Sequence, residues 1–418
     1  MVHEIKNSIA MNSTPSIDFL FSSSSPATVG LPDENLHPSH RPIHPSQTPL
    51  DTNRNILSNF PCVTANPQRK TTYMNTPSLR FRPLAAAILC SLLAPALFAQ
   101  TATTTPVGFI TATIPAAADA STPSNTTVSI PLYATADYVS TVASLDSANQ
   151  FTLTGATWTL DQFASPTAPR LVRVKTSTTA AHVGKFFLVS GNSTIGQLTV
   201  TLPAGVANVN TVVSVGDSCE IVPANTLKTV FGVPSVLQVG ATPTSADNVL
   251  VWGGSSWLTY FYSSAGFWKL SGAGATNQDS TVLYPDEGVF VIRKQLSPVT
   301  LTLMGTVPST AEQTTITGAG STFFSNRFPT DTNIATLALQ TTANWTPGAT
   351  PTNADKLFLW NTTSASWDTY YFSGSIWKRS GGGSTDQGAV AIPAGTAIFV
   401  TRNVAGDSSL SQALPYTP

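Results

Sequence analysis

The side chains best suited to do chemistry in this sequence are aromatic rings in two matched stretches. The first, Pro243 to Arg293, runs PTSADNVLVWGGSSWLTYFYSSAGFWKLSG and closes on PDEGVFVIRK. The second, Pro351 to Arg402, runs PTNADKLFLWNTTSASWDTYYFSGSIWKRSG and closes on PAGTAIFVTRN. Trp257, Tyr260 and Trp268 in the first answer to Trp367, Tyr370 and Trp377 in the second. The offset stays near 108 residues and drifts where the loops differ, which is how an internal duplication behaves. Aromatic faces stack on the apolar faces of sugar rings, so these six are the candidate ligand-binding residues. The same rings can instead fill the sheet's core, and magnitudes favour that use for most of them. Burying one ring removes about 150–250 Å² from water, worth roughly 4–6 kcal/mol. Ordering about 50 residues costs on the order of 50–100 kcal/mol of backbone entropy. A repeat with so little Leu and Met needs most of its rings inside. WLTYFY and WDTYYF carry rings on both strand faces, so the open question is which face meets water.

Other chemistries find weaker footing. A nucleophilic triad needs a base, and His182 is the one histidine beyond the first 44 residues, with no G-x-S-x-G anywhere. The acids are scattered singly, so no carboxylate pair for glycoside hydrolysis can be nominated. Zinc has no standard His/Cys spacing, and no phosphate-cradling or dinucleotide motif is present. Asp247 and Asp355 each follow T-x-A before a strand. They could ligate calcium, but an isolated Asp at a turn more often caps its own backbone. The sequence therefore names no catalytic residue, no metal site and no cofactor.

The elements that must position these residues are strands. NVLVW and KLFLW, then WLTYFY and WDTYYF, then FWKL and IWKR are short runs bounded by Gly, Ser, Asn and Pro. VFVIR and AIFVTR read as return strands. Between Tyr138 and Pro223, the runs FTLTG, RLVRVKT, KFFLVSG, GQLTVTL, VVSVG and CEIVP recur at intervals of roughly ten residues, the rhythm of a small barrel or sandwich. TLKTVFG before the first stretch matches TNIATLALQ before the second, and GFITATIPAA is echoed by LTLMGTVPST. The predicted architecture is all-β: two related β-meander modules, the first (100–137 plus 224–297) carrying an inserted small β-barrel or sandwich domain (138–223), the second spanning 298–418. The two halves should pack together, because a lone meander leaves edges exposed. The tail GDSSLSQALPYTP is expected either to add a last strand or to fray.

The first 99 residues read differently. Residues 1–73 are Pro/His/Ser-rich and lack any periodic apolar pattern, as a disordered leader upstream of the true start would. Met74 opens a signal-peptide pattern over 74–99, with Arg80 and Arg82 ahead of an apolar run from Leu84 to Leu97 and a cleavage point after Ala99. Export leaves Cys219 as the one cysteine, so no intramolecular disulfide is expected. Lys plus Arg number 20 against 21 acids, spread without runs, which gives no footprint for nucleic acid or anionic lipid. No other apolar run is long enough for a transmembrane helix.

The T-x-A-D turn, the strand ending in Trp, W-x-x-Y-[YF]-[YF], the W-K after a short turn and the P-x-[GE]-G/T return strand resemble an uncharacterised family of secreted β-rich proteins of verrucomicrobial-type bacteria. GTVPST and QALPY fit it too. The resemblance covers nearly all of Val107 to Tyr416. It implies an exported bacterial protein and transfers no catalytic residue. Together the residues and the resemblance predict a secreted or cell-surface, non-enzymatic protein that binds extracellular polysaccharide or packs with copies of itself. A secreted hydrolase and a self-assembling structural protein are the alternatives.

Overall fold

The computed structural model describes residues 106–203 and 206–417. The expected leader and signal peptide lie outside the described residues. The chain opens with β1 (Val107–Ile114) and β2 (Ser124–Ser129). Six strands then close a barrel: β3 (Tyr138–Ser147), β4 (Gln150–Leu153), β5 (Arg170–Thr176), β6 (Phe186–Asn192), β7 (Gln197–Thr201) and β8 (Ser218–Pro223). Their order is β3-β4-β7-β6-β5-β8, and β8 returns to β3 with Tyr138 opposite Ile221. Closure removes both edges, which settles the barrel over the sandwich. Val142, Phe151, Val172, Val174, Phe187, Leu198 and Ile221 fill the interior. Cys219 is fully buried there, and burial pushes its thiol well above the usual range.

After the barrel come α1 (Leu227–Phe231), β9 (Asn248–Trp252), β10 (Trp257–Tyr262), β11 (Trp268–Leu270), β12 (Gly288–Arg293), β13 (Val299–Thr306) and β14 (Glu312–Ile316). Next are β15 (Ser321–Ser325), β16 (Thr332–Asn333), α2 (Ile334–Leu337), β17 (Lys356–Asn361), β18 (Ser366–Phe372), β19 (Trp377–Arg379), β20 (Ala391–Ile392), β21 (Ala397–Thr401) and β22 (Ser408–Gln412). Two five-stranded antiparallel sheets result. One runs β11-β10-β9-β12-β2 and the other β19-β18-β17-β21-β15, the same order in both halves. Registers agree as well: Phe290 lies opposite Leu250 and Thr127, while Phe399 lies opposite Phe358 and Phe323.

Each sheet has its own apolar core. Trp268, Tyr260, Val249 and Val291 pack with Leu227 and Phe231 of α1. Trp377, Tyr370, Leu357 and Val400 pack with Ile334 and Leu337 of α2. Both short helices are capped by a polar side chain at the residue before them, Thr226 and Asn333, each accepting from a backbone N–H three residues on.

The echoed segments GFITATIP and LTLMGTVP pair with each other. β1 and β13 form an antiparallel ribbon from Val107 opposite Thr306 to Ile114 opposite Val299. Alternation sends Ile110, Ile114, Leu301 and Leu303 into the first half's core. The tail does not fray: β22 pairs with β14, and Tyr416 donates its hydroxyl to Pro308 O at 2.7 Å.

Candidate functional site

The second face of each sheet is also aromatic, and the two faces meet. Phe290, Phe323, Ala397 and Phe399 form a buried cluster, with Trp252, Trp257, Phe358, Trp360 and Trp367 packed round it. Trp257 stacks on Phe399 at 6.1 Å between centroids, and Trp367 stacks on Phe290 at 5.7 Å. The indole N–H of Trp252 donates to Ser321 O (3.0 Å), and that of Trp360 donates to Asn125 O (2.7 Å). Asn125 and Ser321 are corresponding residues, since each faces the fifth residue of its return strand, Ile292 or Thr401. Each sheet thus anchors its Trp on the outermost strand of the other. Where the return strands cross, Gly288 approaches so closely that an added Cβ would stand 2.3 Å from the Cβ of Ala397.

This packing places the six candidate ligand-binding rings. Trp268 is 0% exposed and Trp377 2%, and Tyr260 and Tyr370 are buried with them in the two cores. These four offer no open ring face, because the core outbids water for them. Trp257 and Trp367 are partly buried and spend their faces on Phe399 and Phe290. The structure therefore brings the six into three packed clusters and not into one platform.

A different ring lines open space. A cleft of about 210 Å³ lies beside Trp360, bordered by Thr126 and Thr127 of β2, Thr362, Ala391, Pro393 and Thr396. Sequence reasoning passed over Trp360 because the strand KLFLW reads as core. The signal was available in the comparison of halves. Thr127 corresponds to Phe323, Ala391 to Val282, Pro393 to Tyr284 and Thr396 to Glu287, and at these four positions the cleft side carries the smaller residue, while Thr126 is matched by Thr322 and Leu359 by the smaller Val251.

The remaining polar candidates are taken up structurally. His182 closes a short 3-10 turn and is buried. Its Nδ1 lies 3.3 Å from Asp217 Oδ2 and 3.5 Å from Ser214 Oγ, while the Ser214 N–H donates to Asp217 at 2.8 Å. A Ser-His-Asp relay needs the acid and the nucleophile on different ring nitrogens. Here both converge on Nδ1, and the three residues staple the turn at Gly216. Asp247 accepts from the N–H groups of Gln238 (2.8 Å) and Lys294 (2.7 Å) and from Arg293 (2.6 Å). Asp355 accepts from the N–H groups of Thr346 (2.9 Å) and Asn403 (2.8 Å). Both aspartates thus act as loop clamps, their oxygens already used. Among the described residues, no group of three or more His, Cys, Asp or Glu could hold a metal ion.

One buried constellation was missed entirely. Arg173 of the barrel donates to Glu220 at 2.7 Å and to Glu312 of β14. Arg327 donates to the other oxygen of Glu312 and to Gly184 O at 3.1 Å. Glu312 is fully buried and the arginines nearly so. Tyr133 and Phe186 lie under the Arg173 guanidinium at 5.0 and 5.9 Å. Gly184 is needed here: its φ is +79°, and a Cβ would come 2.9 Å from Glu312 Cα. The cluster fastens the barrel to the second half. Leu171, Phe186 and Val222 of the barrel also cover Val282 and Tyr284 of the first.

Compared with known proteins, the chain matches no family model, no curated sequence and no solved structure.

Proposed function

We propose that this chain is an exported, non-enzymatic cell-surface or matrix protein that contacts extracellular polysaccharide. The observation that carries the reading is the Trp360 cleft, an aromatic wall with threonine neighbours and no charged lining residue. Sites of this kind fix a small ligand with a few placed polar groups on an apolar surface. The surrounding body suits a scaffold role. Its two aromatic sheets are locked face to face, and the barrel is held by buried ion pairs. The near-neutral charge fits a partner that is itself uncharged. The matched strand orders are what a duplicated unit would produce. Incubating the chain from residue 100 onward with insoluble polysaccharides and with a glycan array tests the reading. Retention on at least one neutral glycan is expected, and no retention on any would sink it.

A second reading is self-assembly, favoured by the outer face of the β1–β13 ribbon. Phe109 and Met304 are cross-strand partners there, 68% and 77% exposed. Light scattering at rising concentration separates the two: a strictly monomeric profile removes assembly. The hydrolase reading draws least support, because Ser214 and Asp217 share one nitrogen of His182. Labelling by a serine-directed probe that is lost in His182→Ala would revive it.

A further inference from the structure

We infer that the Trp360 cleft takes one neutral pyranose ring of a glycan; this rests on the glycan-binding reading above. The volume sets the size. About 210 Å³ falls below the roughly 300–1,000 Å³ that encloses a drug-sized ligand, so a single ring fits and a second must remain outside. The lining sets the chemistry. Thr126, Thr127, Thr362 and Thr396 supply hydroxyls, each able to donate and to accept. Trp360 and Pro393 supply apolar surface. No lining residue carries a charge, so nothing there compensates the desolvation of a phosphate, a carboxylate or an ammonium group. A neutral polyol ring, apolar on its faces and hydroxylated round its rim, matches both.

The cleft is also pre-formed. The Trp360 indole is held by its bond to Asn125 O (2.7 Å) and by edge-to-face contacts with Phe290 (5.0 Å) and Trp367 (5.2 Å). Thr126 and Thr127 sit on β2, which is paired along its length with β12. The strand side of the cleft is therefore already set before binding, which favours a weak, single-ring contact.

The experiment follows the Trp360 indole N–H by NMR, assigned through Trp360→Phe, during titration with methyl glucopyranoside, methyl galactopyranoside and N-acetylglucosamine. At least one is expected to move it saturably, with a dissociation constant on the order of 1 mM. Thr127→Phe writes the residue of the other half into the cleft and should abolish the shift. Thr396→Val keeps shape, removes one hydroxyl and should weaken binding several-fold. If no pyranose moves the Trp360 signal, the inference falls. If polysaccharide retention persists undiminished in Thr127→Phe, the cleft assignment falls while the glycan-binding function stands. If free pyranoses move Trp360 but no polysaccharide is retained, the cleft stands and the polysaccharide role falls.

Discussion

Trp252 and Trp360 occupy corresponding positions and make the same bond, each to a carbonyl on the opposite sheet. Their surroundings diverge. On the side of Trp252 the corresponding positions carry Phe323, Val282, Tyr284 and Glu287, and the barrel lies over Val282 and Tyr284. On the side of Trp360 they carry Thr127, Ala391, Pro393 and Thr396, and a cleft is open. One half uses this wall to dock the inserted barrel. The other, with no insertion, leaves it to solvent. A shared scaffold thus assigns a wall its shape, while side-chain volume at a few positions decides whether the wall is covered or left as an open cleft.

Trp268→Ala and Trp377→Ala each remove a buried ring from a core, and each should cost about 3–5 kcal/mol in denaturant unfolding. A small loss for one alone would mean that the two cores are not equivalent. Glu312→Ala strands two buried arginines and should also cost about 3–5 kcal/mol. It should also release the barrel from the second half, seen as faster proteolysis between residues 138 and 223. Unchanged cleavage would show that apolar docking alone holds the barrel.

Gly288→Ala is a smaller test, directed at the crossing of the return strands. Its Cβ would overlap that of Ala397, so the sheets must part, at about 1–3 kcal/mol. The double variant Gly288→Ala/Ala397→Gly moves the methyl to the other strand and should recover most of the loss. A test of another kind is by pH. Burial, helped by the charge of Asp286, pushes the Glu287 carboxyl up to about 8. The folded chain then keeps a proton that the unfolded chain gives up near 4.5. The native state binds more protons across that window, so stability is greatest below it and falls as pH rises towards 8. Glu287→Gln should flatten this slope, whereas changing its uncharged counterpart Thr396 should leave it intact.

Much of this was legible in the sequence, and the rest was hidden for physical reasons. The strands NVLVW, WLTYFY and VFVIR, and their matches in the second half, followed from short β-favouring runs between turn residues. Five of the barrel's strands followed from their spacing. VVSVG did not become one, because it forms the turn between the 3-10 segment Val209–Thr211 and β8, and β3 was not named because its apolar residues are sparse. Closure was hidden too, because it depends on Tyr138 meeting Ile221 across the whole block. The rings of WLTYFY could be placed on strands but not on faces with known neighbours. Both faces proved buried, one against a short helix and one against the other sheet. The ion cluster was invisible because Arg173, Glu312 and Arg327 are ordinary single charges along the chain. Only the docked barrel gathers them. Trp360 was missed because a tryptophan in a core-like strand announces nothing until the residue across from it, Thr127, is known to be small.

The β1–β13 ribbon has a consequence in time. β1 finds its partner only at Val299–Thr306, after the barrel and the whole first meander have been traversed. Closing so long a loop adds entropy that grows only slowly with length, but such non-local pairing is slow to search for. The barrel needs nothing beyond Tyr138–Pro223 to close its own ladder. A chain emerging in order would therefore complete the barrel early and carry β1 unpaired until the second half arrives. The apolar residues Ile110 and Ile114 would stay uncovered for that interval.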